Sequence, residues 1–377
     1  MKGFLTTHKG MENIASLEVK DLINTNSKIN EACVVFDIKN YEDLFKLCYK
    51  SQSSIGVYYL LCEFDFDNIF DDFYKNLEKI NFKEWLNKNI QFRVKCIKIN
   101  NGKLSTPEIE KKFGEIIIEH IEKKYNYRQK VDLGNPEIVI FAYLTGKKCY
   151  IGTDFAGFDL SKRSYKIFSH PADIKGTIAY SLARLSDYNK NETLLDPFSA
   201  SGTIPIEAAL FASKFPINYF NKEKFIFLKF QKFKNFDFNG LFKKLDKEML
   251  ASKPKIYNID SSMKYLNYSR KNSKIAGIGK KISFSRNDIG WLDTKFKKGS
   301  IDKIVTILPS LQKKDSSNIY NEFFYQAEFI LNKKGKIVLI GDKDMVEKFS
   351  SKYKFRIYDE VNVFSGKKEY QILVLGR

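Results

Sequence analysis

Cysteine pairs at metal-ligand spacing are missing from this chain. Its five cysteines, Cys33, Cys48, Cys62, Cys96 and Cys149, stand apart with no Cys-x-x-Cys among them, and only His8, His120 and His170 accompany them. Zinc sites are built from such pairs, so no metal centre is expected. Scattered free cysteines suit a reducing cytosol. No apolar run approaches the roughly 20 residues that span a bilayer, and the first residues hold no signal-peptide core. The expectation is a cytoplasmic protein with no membrane partner. Two nucleotide signatures are absent as well. The small-residue loop at 199–202 has no Lys after Gly202, which a P-loop requires, and one glycine where a dinucleotide fingerprint needs three.

What is present points elsewhere. At 377 residues the chain exceeds one typical domain, and its 33 phenylalanines are ample for packed cores. Lys plus Arg outnumber Asp plus Glu by 64 to 45, a formal charge of +19. Such an excess favours a polyanionic partner, nucleic acid ahead of membrane. A composition biased toward Lys, Asn and Ile accounts for part of the same excess.

The chain is organised around Thr193-Leu194-Leu195-Asp196-Pro197-Phe198-Ser199-Ala200-Ser201-Gly202-Thr203, followed by Ile204-Pro205-Ile206-Glu207-Ala208-Ala209. An apolar run ends in an acid, a small-residue turn follows, and an apolar-periodic helix begins at once. Ser199, Ala200, Ser201 and Gly202 let backbone N–H groups approach a ligand, beside the partial positive charge of a helix N-terminus. A phosphate or a carboxylate would suit that end. The closing Asp196 favours a ligand carrying an ammonium beside its carboxylate, such as S-adenosylmethionine (SAM).

Asp-Pro-Phe-x-x-Ser-Gly-Thr-Ile-x-Ile-Glu-Ala-Ala resembles motif I of the THUMP-domain SAM-dependent RNA methyltransferases, which include tRNA and large-subunit rRNA guanine-N2 enzymes. Lys162-Arg163-Ser164-Tyr165 and His170-Pro171-Ala172-Asp173-Ile174-Lys175 resemble the segment leading into their catalytic domain. The family usually has Cys-Gly where this chain has Ser199-Ala200, and Ala allows a less close backbone approach.

Three regions follow from pattern and resemblance together. Residues 1–65 alternate strand, helix, strand, helix, strand, an α+β ferredoxin-like order. Residues 66–165 resemble a THUMP domain, with a helix opening at Ser105-Thr106-Pro107-Glu108 and a strand pair about Gly146. The resemblance gives that module the tRNA acceptor end to grip. Residues 166–377 alternate strands and helices as an α/β, doubly wound SAM-methyltransferase sheet. An insertion at 214–255 is crowded with Phe and Lys. Its rings either stack bases or pack on protein, and the packing reading is preferred.

The resemblance also assigns roles. Asp196, Phe198, Ser199, Ala200, Ser201, Gly202 and Thr203 would hold SAM. Asp260, closing the second strand of this region, would accept from its ribose hydroxyls. Asp288 and Ile289, after the third strand, would hold its adenine. After the fourth strand, related enzymes carry Asn/Asp-Pro-Pro-Tyr to receive an amine and stack the base. This chain has Thr306-Ile307-Leu308-Pro309-Ser310, which keeps only the proline. Pro309 and Ser310 are the catalytic candidates there. Three readings stay open: a rearranged acceptor using Ser310, Asp315 or a carbonyl; a different target atom; or an inactive relative that binds tRNA. The first hypothesis is SAM-dependent tRNA guanine-N2 methylation by a monomer. An inactive tRNA-binding protein and an rRNA guanine-N2 methyltransferase are the alternatives.

Overall fold

The computed structural model describes residues 1–99, 104–251, 253–309 and 313–377, the side chains of 313–316 excepted. The described chain forms two compact units. The first comprises residues 1–7, 16–160 and 218–244, and the second residues 8–15, 161–217 and 245–377.

The first unit is built on one eight-stranded sheet. Strand Gly56–Asp65 pairs antiparallel with strand Lys148–Asp154, so residues before and after position 66 share a single sheet. Strand Ile138–Thr145 is buried along its whole length, as a strand covered on both faces must be. Local chemistry sets the helices. Asn40 caps helix Tyr41–Lys50 by accepting from the Glu42 N–H, with Glu42 and Asp43 favourably placed in the first turn. Helix Thr106–Tyr125 opens where the sequence indicated, and there Ser105 and Glu108 form a capping box.

The Phe-rich insertion resolves in favour of packing. Its residues 218–244 belong to the first unit, where Phe225, Phe227, Phe230 and Phe233 are buried. Phe227 lies 4.6 Å from Phe45 between ring centroids, and Phe230 stands edge-on to Phe155 at 5.4 Å. Tyr41 meets Phe233 and Trp85 in the same manner. These rings serve a core, and bases cannot stack on them where they lie.

The second unit alternates strand and helix, numbered here within the unit. Helix α1 (Gly176–Leu185) leads to β1 (Thr193–Asp196) and α2 (Thr203–Ala212). Then come β2 (Lys255–Asp260), α3 (Met263–Ile275), β3 (Ser283–Arg286) and β4 (Ile301–Ile307). The run closes with α4 (Lys313–Ile330), β5 (Leu331–Ile340), α5 (Lys343–Lys352), β6 (Arg356–Ser365) and β7 (Lys368–Gly376). The sheet order is β3-β2-β1-β4-β5-β7-β6. Strands β1 to β5 pair in parallel, and β7 runs antiparallel to β5 and β6. One apolar cluster includes Ile178, Leu182, Ile206 and Leu210 of α1 and α2. Another includes Phe323, Phe324 and Ala327 of α4 with Val346 of α5. Strand order reverses between β1 and β4, the switch point at which such sheets open a crevice at their carboxyl ends.

Candidate functional site

A cavity of about 400 Å³ lies at that switch point. It falls in the size range of small-molecule sites. Cavities of about 450 and 430 Å³ in the first unit are slightly larger. Only the one at the switch point gathers Asp173, Asp196 and Asp260 around a helix N-terminus.

The loop from β1 to α2 is shaped by two left-handed residues. Gly202 has φ of +85°, and a Cβ there would lie 1.9 Å from Ser269 Oγ, so only glycine fits. Ala200 has φ of +49°, a conformation that costs an alanine about 1 kcal/mol. That turn aims the Ala200 N–H at Asp260 Oδ2, 2.9 Å away. The Ser262 N–H donates to Asp260 Oδ1 at 2.8 Å. The carboxylate at the tip of β2 is thereby oriented, and each oxygen keeps a further lone pair for a ligand hydroxyl.

Buried side chains hold the loop from behind. Ser269 Oγ on α3 donates to Asn258 Oδ1, and Asn258 Nδ2 donates to Ser199 Oγ, both at 2.6 Å. Asn272 Nδ2 donates to the Ser201 carbonyl at 3.1 Å and to the Phe168 carbonyl at 2.7 Å. Its Oδ1 accepts from the Phe168 N–H. One carboxamide thus ties the segment before α1 to the loop. Ser201 Oγ donates to Asp173, 2.6 Å from each carboxylate oxygen.

Glu207 of α2 meets Arg163 in a buried ion pair, side chains 0% and 1% exposed. Arg163 Nε and a terminal nitrogen each donate to one of its oxygens, and the Tyr165 hydroxyl donates to Oε1. A Cβ on Gly176 would come within 2.4 Å of Glu207 Oε1, so a side chain there would break the pair. The Arg163, Tyr165 and Glu207 positions of the sequence motifs therefore do structural work.

The pocket's donors and acceptors fit SAM. Thr203 Oγ1, in the first turn of α2, lines the cavity and is buried with no hydrogen-bond partner. An orphaned hydroxyl beside unpaired helix N–H groups suits a carboxylate. Asp196 is 1% exposed and accepts from Thr306 Oγ1 and the Phe198 N–H. Burial pushes its carboxyl up to about 7, against the pull of those two donors.

Of the sequence-derived residues, Asp196, Phe198, Ser199, Ala200, Thr203, Asp260 and Pro309 line the cavity. Ser201 and Gly202 sit behind it, buried against Asp173 and Ser269. Asp288 and Ile289 are not among its lining residues. Asp288 is exposed and caps the Gly290 N–H, and Ile289 packs on the apolar cluster of α4. Ser310 lies outside the described residues, as does the side chain of Asp315. The sequence did not single out His170 or Tyr265 as site residues. Both line the cavity, with rings edge-on at 4.2 Å between centroids. His170 Nδ1 accepts from the Ala172 N–H, which assigns the neutral ring its proton on Nε2. A histidine and a tyrosine lying 95 positions apart carry no joint signal in the sequence.

A doubly wound sheet in this order, with an acid at the tips of β1 and β2 and a ligand cavity between β1 and β4, is the architecture of a SAM-dependent methyltransferase. Comparison with known proteins narrows it. Residues 163–371 match the RMKL-like methyltransferase domain family, and residues 68–154 match the THUMP domain. The chain belongs to the RMKL-like methyltransferase family and carries a THUMP domain ahead of its catalytic fold. It is 30% identical to the tRNA (guanine(6)-N2)-methyltransferase of Methanocaldococcus jannaschii, over 97% of each chain. With the enzyme of that name from Archaeoglobus fulgidus it shares 26%, over 89% of this chain and 82% of the relative. The crystal structure of SMU.472 with SAH covers 100% of this chain and 98% of its own, at TM-score 0.81 and 19% identity. That of TrmN from Thermus thermophilus covers 100% and 99%, at TM-score 0.73 and 19% identity. These likenesses show the fold.

Proposed function

We propose that the chain methylates the exocyclic N2 of a guanine in tRNA, with SAM as methyl donor. The observation that carries this reading is the oriented Asp260 carboxylate sharing one cavity with the orphaned Thr203 hydroxyl. Similarity to the Methanocaldococcus jannaschii enzyme over nearly the full length of both chains supplies the substrate. When bound, SAM supplies an electrophilic methyl group on a sulfonium.

The chain's own residues bind and orient. Asp260 accepts from paired ribose hydroxyls. Thr203 and the α2 N-terminus hold a carboxylate, and Asp196 holds an ammonium. Phe198, Ile204 and Leu308 form apolar wall that keeps water from the reacting groups. Pro309 closes the cavity at the tip of β4. The THUMP-containing unit grips the RNA through lysines contacting phosphates. Five free, buried cysteines support a reducing cytoplasm, and a monomer is the working state. Domain limits of 1–65, 66–165 and 166–377, with the insertion at 214–255, complete the reading.

The test is incubation of total tRNA with methyl-labelled SAM, followed by nucleoside analysis. Label should appear in N2-methylguanosine; label confined to another nucleoside would remove the guanine assignment. One observation favours a second reading, an inactive tRNA binder. Among the described residues the β4 tip presents Ile307, Leu308 and Pro309, none with a side-chain acceptor. Calorimetry separates the two. A binder without chemistry has no need of SAM, and Asp260→Ala would then change nothing.

A further inference from the structure

The exocyclic amine of a purine is a poor nucleophile because its lone pair is delocalised into the ring. A hydrogen-bond acceptor on its N–H returns density to the nitrogen and receives the proton that methylation releases. Among the described residues the β4 tip, Ile307, Leu308 and Pro309, brings no such side chain, which turns attention to the other walls of the cavity. Three carboxylates line it: Asp173, Asp196 and Asp260. Asp196 is 1% exposed, with Thr306 and Phe198 donating to one oxygen, and its other oxygen is the one left for the ammonium. Asp260 ends β2, where the ribose is held, and both its oxygens already accept a backbone N–H. Asp173 is different. It lies on the segment before α1, off the sheet, beside the cavity-lining His170, Ala172 and Ile174.

Its surroundings aim it without exhausting it. The Ser201 hydroxyl bridges both oxygens, and the His170 N–H donates to Oδ2 at 2.7 Å. Lys166 Nζ stands 3.7 Å from the same oxygen. A carboxylate has about four lone-pair directions, so at least one remains for a substrate donor. With its side chain only 8% exposed, bulk water competes weakly for that position.

We propose that Asp173 is the catalytic acceptor, receiving a hydrogen bond from the substrate amine in place of a residue on β4. The inference rests on the methyltransferase reading above. The amine nitrogen's lone pair forms the new N–C bond as the methyl–sulfur bond breaks, and that bond's electron pair stays on sulfur. The proton shed by nitrogen passes to the Asp173 carboxylate and on to water.

Three variants test it on the full chain: Asp173→Ala, Asp173→Asn and Asp173→Glu. SAM affinity is read by calorimetry and methyl transfer to total tRNA by label. Asp173→Ala should lose ~10²–10³-fold in rate while SAM affinity stays within about threefold. Asp173→Asn keeps an acceptor oxygen and the Ser201 contact, so its rate should fall between alanine and parent. Asp173→Glu should recover part of the rate. Turnover of Asp173→Ala near the parent rate overturns the inference. So does a rate loss matched by an equal loss of SAM affinity, because Asp173 would then serve the cofactor alone. If the parent binds SAM and labels no tRNA, the methylation reading falls with it; if the parent labels tRNA and Asp173→Ala does too, only the inference falls.

Discussion

The tips of β1 and β2 and the tip of β4 line one cavity with opposite chemistry. On one side, Asp196 and Asp260 are oriented by backbone donors and backed by a buried chain of Ser199, Asn258, Ser269 and Asn272. On the other, Ile307, Leu308 and Pro309 bring apolar surface. A polar framework inside a core is costly unless every member is paired, so its completeness on the β1–β2 side marks a binding geometry held rigidly. Beyond Thr306, the described residues of the β4 tip carry no comparable constraint. The lesson is that the two walls vary independently in sequence: the β1–β2 side keeps its motif residues, and the β4 tip keeps only the proline.

The contrast breaks hardest at Glu207. Glu207→Ala should cost ~3–5 kcal/mol in chemical denaturation, because Arg163 is left charged and buried. A loss under ~1 kcal/mol would mean that the pair does not anchor the framework. Asn258→Ala comes next, at ~1–3 kcal/mol, since Ser199 and Ser269 each lose a buried partner. On the other side, Leu308→Met should cost less than ~1.5 kcal/mol and leave SAM affinity unchanged. Equal effects from these two substitutions would erase the distinction between the walls.

A pH series sharpens it further. The Asp196 carboxyl is raised from its ordinary value to about 7, chiefly by burial. A carboxyl raised on folding stabilises the fold while protonated. Its contribution is complete below pH ~4 and fades as pH rises through its folded value. Asp196→Asn should therefore gain stability relative to the parent across that window, by up to ~1.4 kcal/mol per pH unit, and level off above it. A constant difference from pH ~4 to ~8 would show that the carboxyl titrates normally. The smallest effect belongs to Ala200→Gly, which relieves a φ of +49° and should raise stability by less than about 1 kcal/mol in a thermal melt.

Motif I was legible because each of its properties is local: an apolar run, a closing acid, small residues and a periodic helix. Asp260 was legible for the same reason. Strand Ser27–Asn30 was not, since its four residues hold one apolar side chain and pair only with strand Cys33–Asp37. Asn272 and Asp173 were invisible as site residues because their partners Phe168 and Ser201 lie 104 and 28 positions away. Asp288 was read from a motif position, and the chain turns it outward as a cap. At β4 the motif itself had changed, so the sequence left the acceptor open among Ser310, Asp315 and a backbone carbonyl.

The insertion has a consequence for how the protein is made. Trp85, Phe45 and Phe155 meet rings from residues 227–233, which the ribosome delivers long after the first unit's sheet strands. The nascent front part must wait, its aromatic face uncovered, until residue 244 has emerged, an interval of several seconds at ordinary synthesis rates of ~5–20 residues per second. A gene cut after the THUMP segment would make that wait permanent, and the shortened product should be captured by chaperones or precipitate instead of yielding a free-standing RNA grip.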